Sequence, residues 1–506
     1  MKSLQVLRKT CEYIGIPYPK SHEINWEDEA VWNDIIVNPA GIFQFEGSYA
    51  HEMLKQFKPH KINDMSIVNA ALRPSGASYR NRLLAKEENK NPSPIIDDLL
   101  KENNGYLIFQ EDVIKFLQQI CGMSGSEADN LRRAIGRKQV DRLQKALPSI
   151  LDGYCKMSPQ PREVAEQEVK TFLKIIEDAS RYMFGFNHST GYSMIGYLCG
   201  YLRYYYPEEF IAAYLNCANN SDDIVFGTDL AKVKNVKINT IKFGKSRADY
   251  TVDKPNNSIY KGIQSIKYCN AQIAEELYEL AQNNTYTDFI DLLIDINEKT
   301  SVNARQLEIL TILNFFSDFG ENKYLLNIIK LFDKLNGVKQ INKNKMEEFG
   351  VNEFIMQKFS EKETKKIYKG VDWIGILKEL SKKIEHETID LISQMKYEKE
   401  FLEYIDYVNP DANENYYIIV DFVQYKDASK PRFVARRICD GEEITARIKQ
   451  SKVFKSSPFG LWSALEIRVF DEEFKKKPDQ TGKWVVTDET EYILNEYEVI
   501  KNYECN

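Results

Sequence analysis

No C-x-x-C pair occurs in this sequence. Its eight cysteines stand apart at 11, 121, 155, 199, 217, 269, 439 and 505, which excludes a zinc ribbon or a dithiol redox motif and suits separate thiols in a reducing cytosol. Histidine is scarce, five residues in 506, and His22, His51 and His386 are each followed by Glu without a second His in the H-E-x-x-H register. A zinc peptidase is thereby excluded. Long hydrophobic runs are missing: the stretch from Gly191 to Leu202 ends at Arg203, short of the ~20 residues that span a bilayer. No apolar segment follows the basic residues Lys2, Arg8 and Lys9, so neither a secretory signal nor membrane contact is expected, and the expected location is the cytoplasm. Excess positive charge is lacking too, with 68 Lys and Arg against 75 Asp and Glu and a net charge of -7. That excludes a basic nucleic-acid coat but not local clusters that neutralise phosphates. Gly244-Lys245-Ser246 lacks the leading glycine of a phosphate loop, and His188-Ser189 lies in no G-x-S-x-G elbow, which removes the usual nucleotidase and serine-hydrolase frames.

What remains is an ordinary globular balance, 43% hydrophobic and 28% charged over 506 residues, long enough for three or four domains. Leu4, Val6, Leu7, Cys11 and Ile14 give the first fifteen residues a helical period. Gly41 to Glu46 is a short apolar piece, and helical spacing then runs to about Asn219, interrupted at Pro74 to Ser78 and at Asn89 to Pro94. Lys234 to Ile259 reads as short strands with a Pro-Asn-Asn turn at 255–257. Helical patterns return from Ile263 to about Leu335, and the Lys/Glu-rich residues 336–395 read as a solvated linking helix. After Asn409-Pro410, Y-Y-I-I-V-D-F-V, R-F-V-A-R-R-I and A-L-E-I-R-V-F are β-rich. About five such strands fit an antiparallel barrel of the OB kind over about residues 414–502. The fold class expected is multidomain and mainly α, with a C-terminal antiparallel β-barrel.

The densest local charge is L-R-R-A-I-G-R-K-Q-V-D-R-L-Q-K, residues 131–145, with Arg132, Arg133, Arg137, Lys138, Arg142 and Lys145 against Asp141. Guanidinium forks at helical spacing suit a triphosphate or backbone phosphates. The competing reading is a solvated helix face. Arg132 and Arg133 are adjacent, so their side chains are expected to diverge by about 100°.

In order along the chain, G-I-F-Q-F-E (41–46), L-R-P (72–74), G-Y-L-I-F-Q-E-D-V (105–113), E-A-D-N-L-R-R-A-I-G-R-K (127–138), G-F-N-H-S-x-x-Y (185–192) and Y-Y-P-E-E-F (205–210) stand in the sequence. Together they resemble the fingers of the bacterial DNA polymerase III alpha subunit, the C-family replicative polymerase. S-R-A-D-Y-T-V (246–252), Y-K-G-I-Q-S-I-K (260–267), V-N-A-R-Q-L-E-I-L (302–310) and F-S-D-F-G-E-N-K (316–323) resemble its strand segment and tandem helix-hairpin-helix. Y-E-K-E-F-L-E-Y-I-D-Y-V-N-P (397–410) resembles the helix that leads into its OB domain. The resemblance implies a helix and linker over 1–40, fingers over 41–219 and a duplex- or clamp-binding hairpin module over 220–335. It also implies a helical linker over 336–410 and the OB-like domain over 411–506. It implies incoming-nucleotide contacts for Arg132, Arg133 and Lys138. The implied DNA contacts are Arg73, Arg137, Asn187, His188 and Lys267. On the barrel, Arg436, Arg437 and Arg447 with exposed aromatics are expected to bind single-stranded template, since bases stack on rings while cations track phosphates.

Four departures bear on function. The family's asparagine-lysine-serine-histidine-serine run is shorter here and lacks its lysine, and S-G-A-S-Y-R follows Pro74. Tyr268, Cys269 and Asn270 occupy the first hairpin where the family has glycines that bring backbone N–H groups to phosphate. K-S-L-Q-V-L-R-K-T-C-E-Y-I-G (2–15) resembles the helix just past the third aspartate of the family's palm, so no catalytic or metal-ligating residue is assigned, because two-metal phosphoryl transfer needs those carboxylates. The expectation is a split replicative polymerase component, inactive alone. A palm-bearing chain would hold Mg²⁺, and primed DNA and deoxynucleoside triphosphates would be the substrates. The sliding clamp and clamp loader are further implied partners, although residues 336–396 show no clamp-binding peptide. The alternative is a non-catalytic DNA- or clamp-binding accessory protein of the same descent, and a third reading is an unrelated helical scaffold.

Overall fold

The computed structural model describes residues 2–73, 79–179, 183–424, 428–478 and 484–500. Pro74 with residues 75–78, the last two residues expected in the barrel and Cys505 lie outside them. The chain divides into two compact units, residues 1–238 with 252–259, and residues 239–251 with 260–506. It passes between them through three short strands, β1 (Lys237–Asn239), β2 (Thr251–Asp253) and β3 (Ser258–Tyr260). Asn257, in the expected turn, takes the left-handed conformation at φ 47°.

Apart from its share of these strands, the regular elements of the first unit are helices. α1 (Lys2–Ile14), α2 (Glu29–Val37), α3 (Ser48–Phe57) and α4 (Ile62–Ala71) precede α5 (Arg80–Leu84), α6 (Pro94–Leu99) and α7 (Gln110–Lys115), which continues into a π-helical turn at Phe116–Ile120. Then come α8 (Gly125–Gly136), α9 (Val140–Met157), α10 (Arg162–Ala179), α11 (Phe186–Tyr205), α12 (Pro207–Asn216) and α13 (Ser221–Val233). Local chemistry sets these limits. Ser124 and Glu127 form a reciprocal capping box at the start of α8, and Pro94 and Pro207 open α6 and α12, where a missing N–H costs nothing. Ala165, Val169, Phe172, Leu173 and Ile176 make one buried stripe on α10. Around them a core forms with Ile96, Val113, Phe116, Leu131 and Ile150. Gly41, at φ +77°, turns the chain where a Cβ would stand 2.6 Å from the Phe210 ring.

Helix α11 is the spine of this unit, and Arg203 near its end is fully buried. Its Nε donates to Asp34 Oδ2 at 2.8 Å, Nη1 to the carbonyls of Asn38 (2.7 Å) and Ala40 (2.8 Å), and Nη2 to the Asp34 carbonyl at 2.6 Å. Lys234 pairs with the other Asp34 oxygen.

In the second unit α14 (Ala271–Asn283), α15 (Phe289–Lys299), α16 (Ala304–Ile312) and α17 (Asn322–Leu335) form the hairpin module, each of the first three capped by an Asn or Asp side chain. The expected long helix over 336–395 is not there. Strands β4 (Gln340–Asn342), β5 (Ser360–Glu363) and β6 (Ile367–Val371) form an antiparallel sheet in the order β4-β6-β5, with short helices α18 (Glu353–Lys358) and α19 (Trp373–Ser381). The Lys and Glu residues of this stretch are spread over exposed strand positions, short helices and turns. Ile341 and Tyr368 join the module's core with Ile355, Met356 and Leu377.

Helix α20 (Leu391–Phe401) leads into β7 (Tyr416–Val423), β8 (Arg432–Arg437), β9 (Glu443–Arg447), helix α21 (Ser451–Ser456), β10 (Ala464–Glu466), β11 (Asp471–Pro478), β12 (Trp484–Ile493) and β13 (Glu498–Val499). These make one curled, OB-like sheet of seven strands in the order β11-β12-β9-β8-β7-β10-β13, two more than expected, with β12 parallel to β9. A register shift at Ile419/Asp421 bends β7. Ile419, Phe433 and Leu465 fill the concave core, while Ile418 and Val420 pack with Leu391 and Met395. That two-sided burial explains why 416–420 reads as a continuous apolar run. Among the described residues no helix is long and apolar enough to cross a membrane, and their seven cysteines are free thiols.

Replacing Arg203 by Leu strands Asp34 against Lys234 alone and leaves three carbonyl contacts unmade. Chemical denaturation should show a loss of about 3–5 kcal/mol for the first unit, and Arg203→Lys should recover only part of it, because an ammonium cannot reproduce the fork. A loss under about 1 kcal/mol for Arg203→Leu would show that α11 is held by its apolar contacts alone.

Candidate nucleic-acid interface

The G-Y-L-I-F-Q-E-D-V segment is held as a rigid turn by Asp112. This buried carboxylate accepts from Phe109 N at 2.8 Å, Ile108 N at 3.3 Å and Asn103 Nδ2 at 3.0 Å. The turn ends in Gln110, which joins three parts of the chain. Its backbone N–H donates to the Phe184 carbonyl at 3.0 Å, its Nε2 donates to the Met183 carbonyl at 3.1 Å, and its Oε1 accepts from Arg132 Nη1 at 2.8 Å. Glu111 accepts from Phe186 N at 2.7 Å, at the start of α11. The bridge Phe109–Phe184 and the edge-on packing of Phe109 and Phe186 complete the joint.

On this joint the structure gathers residues far apart in sequence. Arg73 lies over the Phe184 ring, 4.8 Å from its centre, with a buried Nε that has no partner among the described residues. Its carbonyl accepts from Arg80 Nη2 at 2.8 Å, and Arg80 also holds Ala71 and Tyr49. Phe184 is 5.2 Å from His188, and His188 is 4.0 Å from Tyr192, ring to ring. Asn187 and His188 are exposed on the first turn of α11. Ser189 is fully buried and donates to the Ser66 carbonyl, a packing role with no nucleophile in reach of solvent.

Arg132 and Arg133, adjacent on α8, share one carboxylate. Asp129, three and four residues earlier, takes Arg132 Nη2 at 2.6 Å and Arg133 Nη2 at 2.8 Å; the Arg132 hydrogen bond is the larger of the interactions that hold its carboxyl below the usual range. Arg132 is partly covered, whereas the Arg133 side chain is 59% exposed. The helix break falls at 137–139, and the left-handed residue there is Lys138 (φ 55°), not Gly136. Arg137, Lys138, Arg142 and Lys145 are exposed, without carboxylate partners among the described residues. The sequence reading counted Asp141 and missed Asp129, although acid-to-Arg spacings of three and four were the available signal. It also missed Gln110 and Phe184, whose role depends on contacts across more than seventy residues.

In the second unit, Tyr268 adopts φ 69°, the left-handed conformation for which glycine is the usual residue, and its ring stacks under Arg305 at 3.5 Å. Lys267 beside it pairs with Glu403 at 3.3 Å. The left-handed turn at Tyr268 thus carries a side chain and a stacked arginine where glycines were expected. On the barrel, the expectation for Arg436 and Arg437 is corrected. Arg436 is buried, with Nη1 donating to the Gly441 carbonyl and Glu443 and Nη2 to the Tyr407 carbonyl. Arg437 is held by Asp440 and Glu442. Both arginines brace the β8–β9 turn, so neither is presented to a strand. Arg447, paired with Glu491 at 2.6 Å, instead lines a groove of about 740 Å³ together with Lys430, Arg432, Lys449, Lys475 and Tyr492. Cations with an exposed ring are the ingredients of single-strand recognition.

Burial pushes the Asp112 carboxyl up to about 6 against its three donors. A raised carboxyl stabilises the fold fully below its unfolded value near 4 and loses that contribution as pH rises through 6. Asp112→Asn removes this titration while keeping an acceptor oxygen. Stability relative to the variant should therefore fall by roughly 3 kcal/mol between pH 4 and pH 7. A stability difference that stays level across that range would place the wild-type carboxyl at an ordinary value.

Residues 3–157 match the family of the bacterial DNA polymerase III alpha subunit finger domain, and residues 231–326 match the helix-hairpin-helix motif. The DNA polymerase III subunit alpha of Campylobacter jejuni is 28% identical over 440 residues, 84% of this chain and 34% of that protein. That of Ureaplasma parvum is 28% identical over 324 residues, 62% of this chain and 33% of that protein. That of Aquifex aeolicus is 30% identical over 291 residues, 56% of this chain and 24% of that protein. The chain spans about a quarter to a third of the length of these relatives. Residues 3–157 are thus similar to the finger domain of the bacterial DNA polymerase III alpha subunit and residues 231–326 to the helix-hairpin-helix motif, in a chain that is similar over most of its length to part of these relatives.

Proposed function

We propose that this chain is a DNA-binding component of a replicative DNA polymerase. It would supply fingers, hairpin and OB-like elements to a cytoplasmic enzyme whose palm is carried by a second chain. The observation that carries the reading is the convergence of Arg73, Gln110, Arg132, Phe184 and His188 on one face, beside the exposed Arg133, Arg137 and Lys138. Such a face can take a triphosphate on its cations and a base or sugar against its rings. Arg133, the more exposed of the pair and held by Asp129 alone among the described residues, would turn to an incoming deoxynucleoside triphosphate. Arg132, tied to Gln110 and Asp129, orients the face, while Arg73, Asn187 and His188 meet primed DNA. Among the described residues no group of three or more His, Cys, Asp or Glu is placed to hold a metal ion. In this reading Mg²⁺ belongs to the palm-bearing chain. The sliding clamp and clamp loader are further partners of such an assembly.

A second reading is favoured by one observation. Both terminal nitrogens of Arg132 are already satisfied within the chain, as they would be in a DNA- or clamp-binding accessory protein that no longer receives nucleotide. The two readings divide on nucleotide dependence.

The chain alone should bind primed DNA with a log Kd that climbs with log salt, and should not extend the primer. Purified with its palm-bearing partner, Arg133→Ala should raise the nucleotide KM about tenfold to a hundredfold, from the ~1.5–3 kcal/mol of one charge-assisted hydrogen bond, with DNA affinity nearly unchanged. Wild-type KM and kcat in both Arg132→Ala and Arg133→Ala would remove the nucleotide role and leave the accessory reading. Extension by the single chain would refute the two-chain arrangement.

A further inference from the structure

The small β4-β6-β5 domain between the hairpin module and α20 lies outside both family matches and contributes nothing to the face described above. Its β5–β6 hairpin carries Lys362, Lys365, Lys366 and Lys369, all exposed and all without a carboxylate partner among the described residues. Lys362 and Lys369 are directly opposite each other across the two strands. Like charges in that position repel and weaken a sheet. Next to them on the same face are Gln340, paired with Lys369, and half-buried Ile367.

Ordinary structural reasons account for only part of this pattern. Lysine on an edge strand guards against unwanted pairing, which explains Lys362 on β5. It does not explain Lys369, because β6 is the central strand. Turn chemistry leaves the tip open. Lys365 and Lys366 form a two-residue loop closed by Thr364, whose N–H donates to the Ile367 carbonyl and whose Oγ1 accepts from Ile367 N. Neither lysine takes the left-handed conformation, so the loop accepts most residues and does not itself call for two cations. Nearby carboxylates leave the four lysines uncompensated: Glu363 is taken by Lys343 and Glu379 by Lys358 and Lys382. Glu361 alternates to the opposite side of β5, against Gly370.

We propose that this hairpin is a separate docking site for the phosphate backbone of duplex DNA, beyond the fingers face and independent of nucleotide. Tyr368, the hairpin's ring, is fully buried on the far side. The lysine face therefore offers charge without a base-stacking platform, which fits a duplex better than a single strand. It also lacks the apolar centre that a protein partner requires. A backbone phosphate between Lys362 and Lys369 turns their repulsion into a bidentate contact, and Lys365 and Lys366 reach further phosphates from the tip.

The test is fluorescence anisotropy of the full chain with a labelled blunt 40-base-pair duplex, titrated in salt, against a variant with Lys362, Lys365, Lys366 and Lys369 each changed to Gln. An unchanged melting curve certifies the variant's fold. The slope of log Kd against log salt should shrink by about 3–4, with affinity at 0.1 M salt at least about tenfold weaker. The same slope in both proteins overturns the hairpin site while leaving the fingers reading standing. If the wild-type chain binds polyglutamate but shows no duplex binding even at 50 mM salt, both the hairpin site and the DNA-binding reading fall.

Discussion

The first unit depends on one buried cation. Arg203 is cut off from water, and all three of its donor nitrogens are spent on the 34–40 corner. A guanidinium is tolerated there because Asp34 balances its charge and backbone carbonyls take the remaining donors. The consequence is a fixed position for α11. Seventeen residues earlier on the same helix, Phe186 and its neighbours meet Gln110 and Glu111, so the anchored end holds the functional end in register. Any disturbance of Arg203 should reach the face at Phe184 and His188 through the helix rather than through direct contact.

The face itself is built from short-range locks joined by one amide. Asp112 shapes its turn, Asp129 gathers two arginines, and Arg80 holds the segment around Arg73. Gln110 is the part that connects them. Its neutral side chain can donate to a carbonyl and accept from a guanidinium at once, which no carboxylate or ammonium in its place could do. Preorganised donors of this kind avoid the ordering cost that flexible surface lysines incur on binding phosphate.

Much of this was legible in the sequence because it is local. The helical stripes, the strand turn at 255–257 and the strand β7 follow from spacing and residue type. The resemblance carried further, since it rests on the order of motifs along the chain. The failures are those of contacts that spacing cannot register. The strands at 340–371 were hidden because their outward faces carry Lys and Glu in helix-like proportion. Arg436 looked like a barrel-surface cation, yet the turn that folds back over it uses its donors. Asp129 stood outside the window of basic residues in which charge was counted, and Gln110 is unremarkable until Met183 and Arg132 are beside it in space.

The central claim is that segments 105–113, 127–138 and 184–192 form one face for primed DNA. Hydrogen exchange of the full chain with and without a primed duplex tests it most directly, because each segment reports separately. Slowed exchange in all three segments at the same DNA concentration is the result expected. Binding that protects other parts of the chain and leaves these three segments unchanged would contradict it.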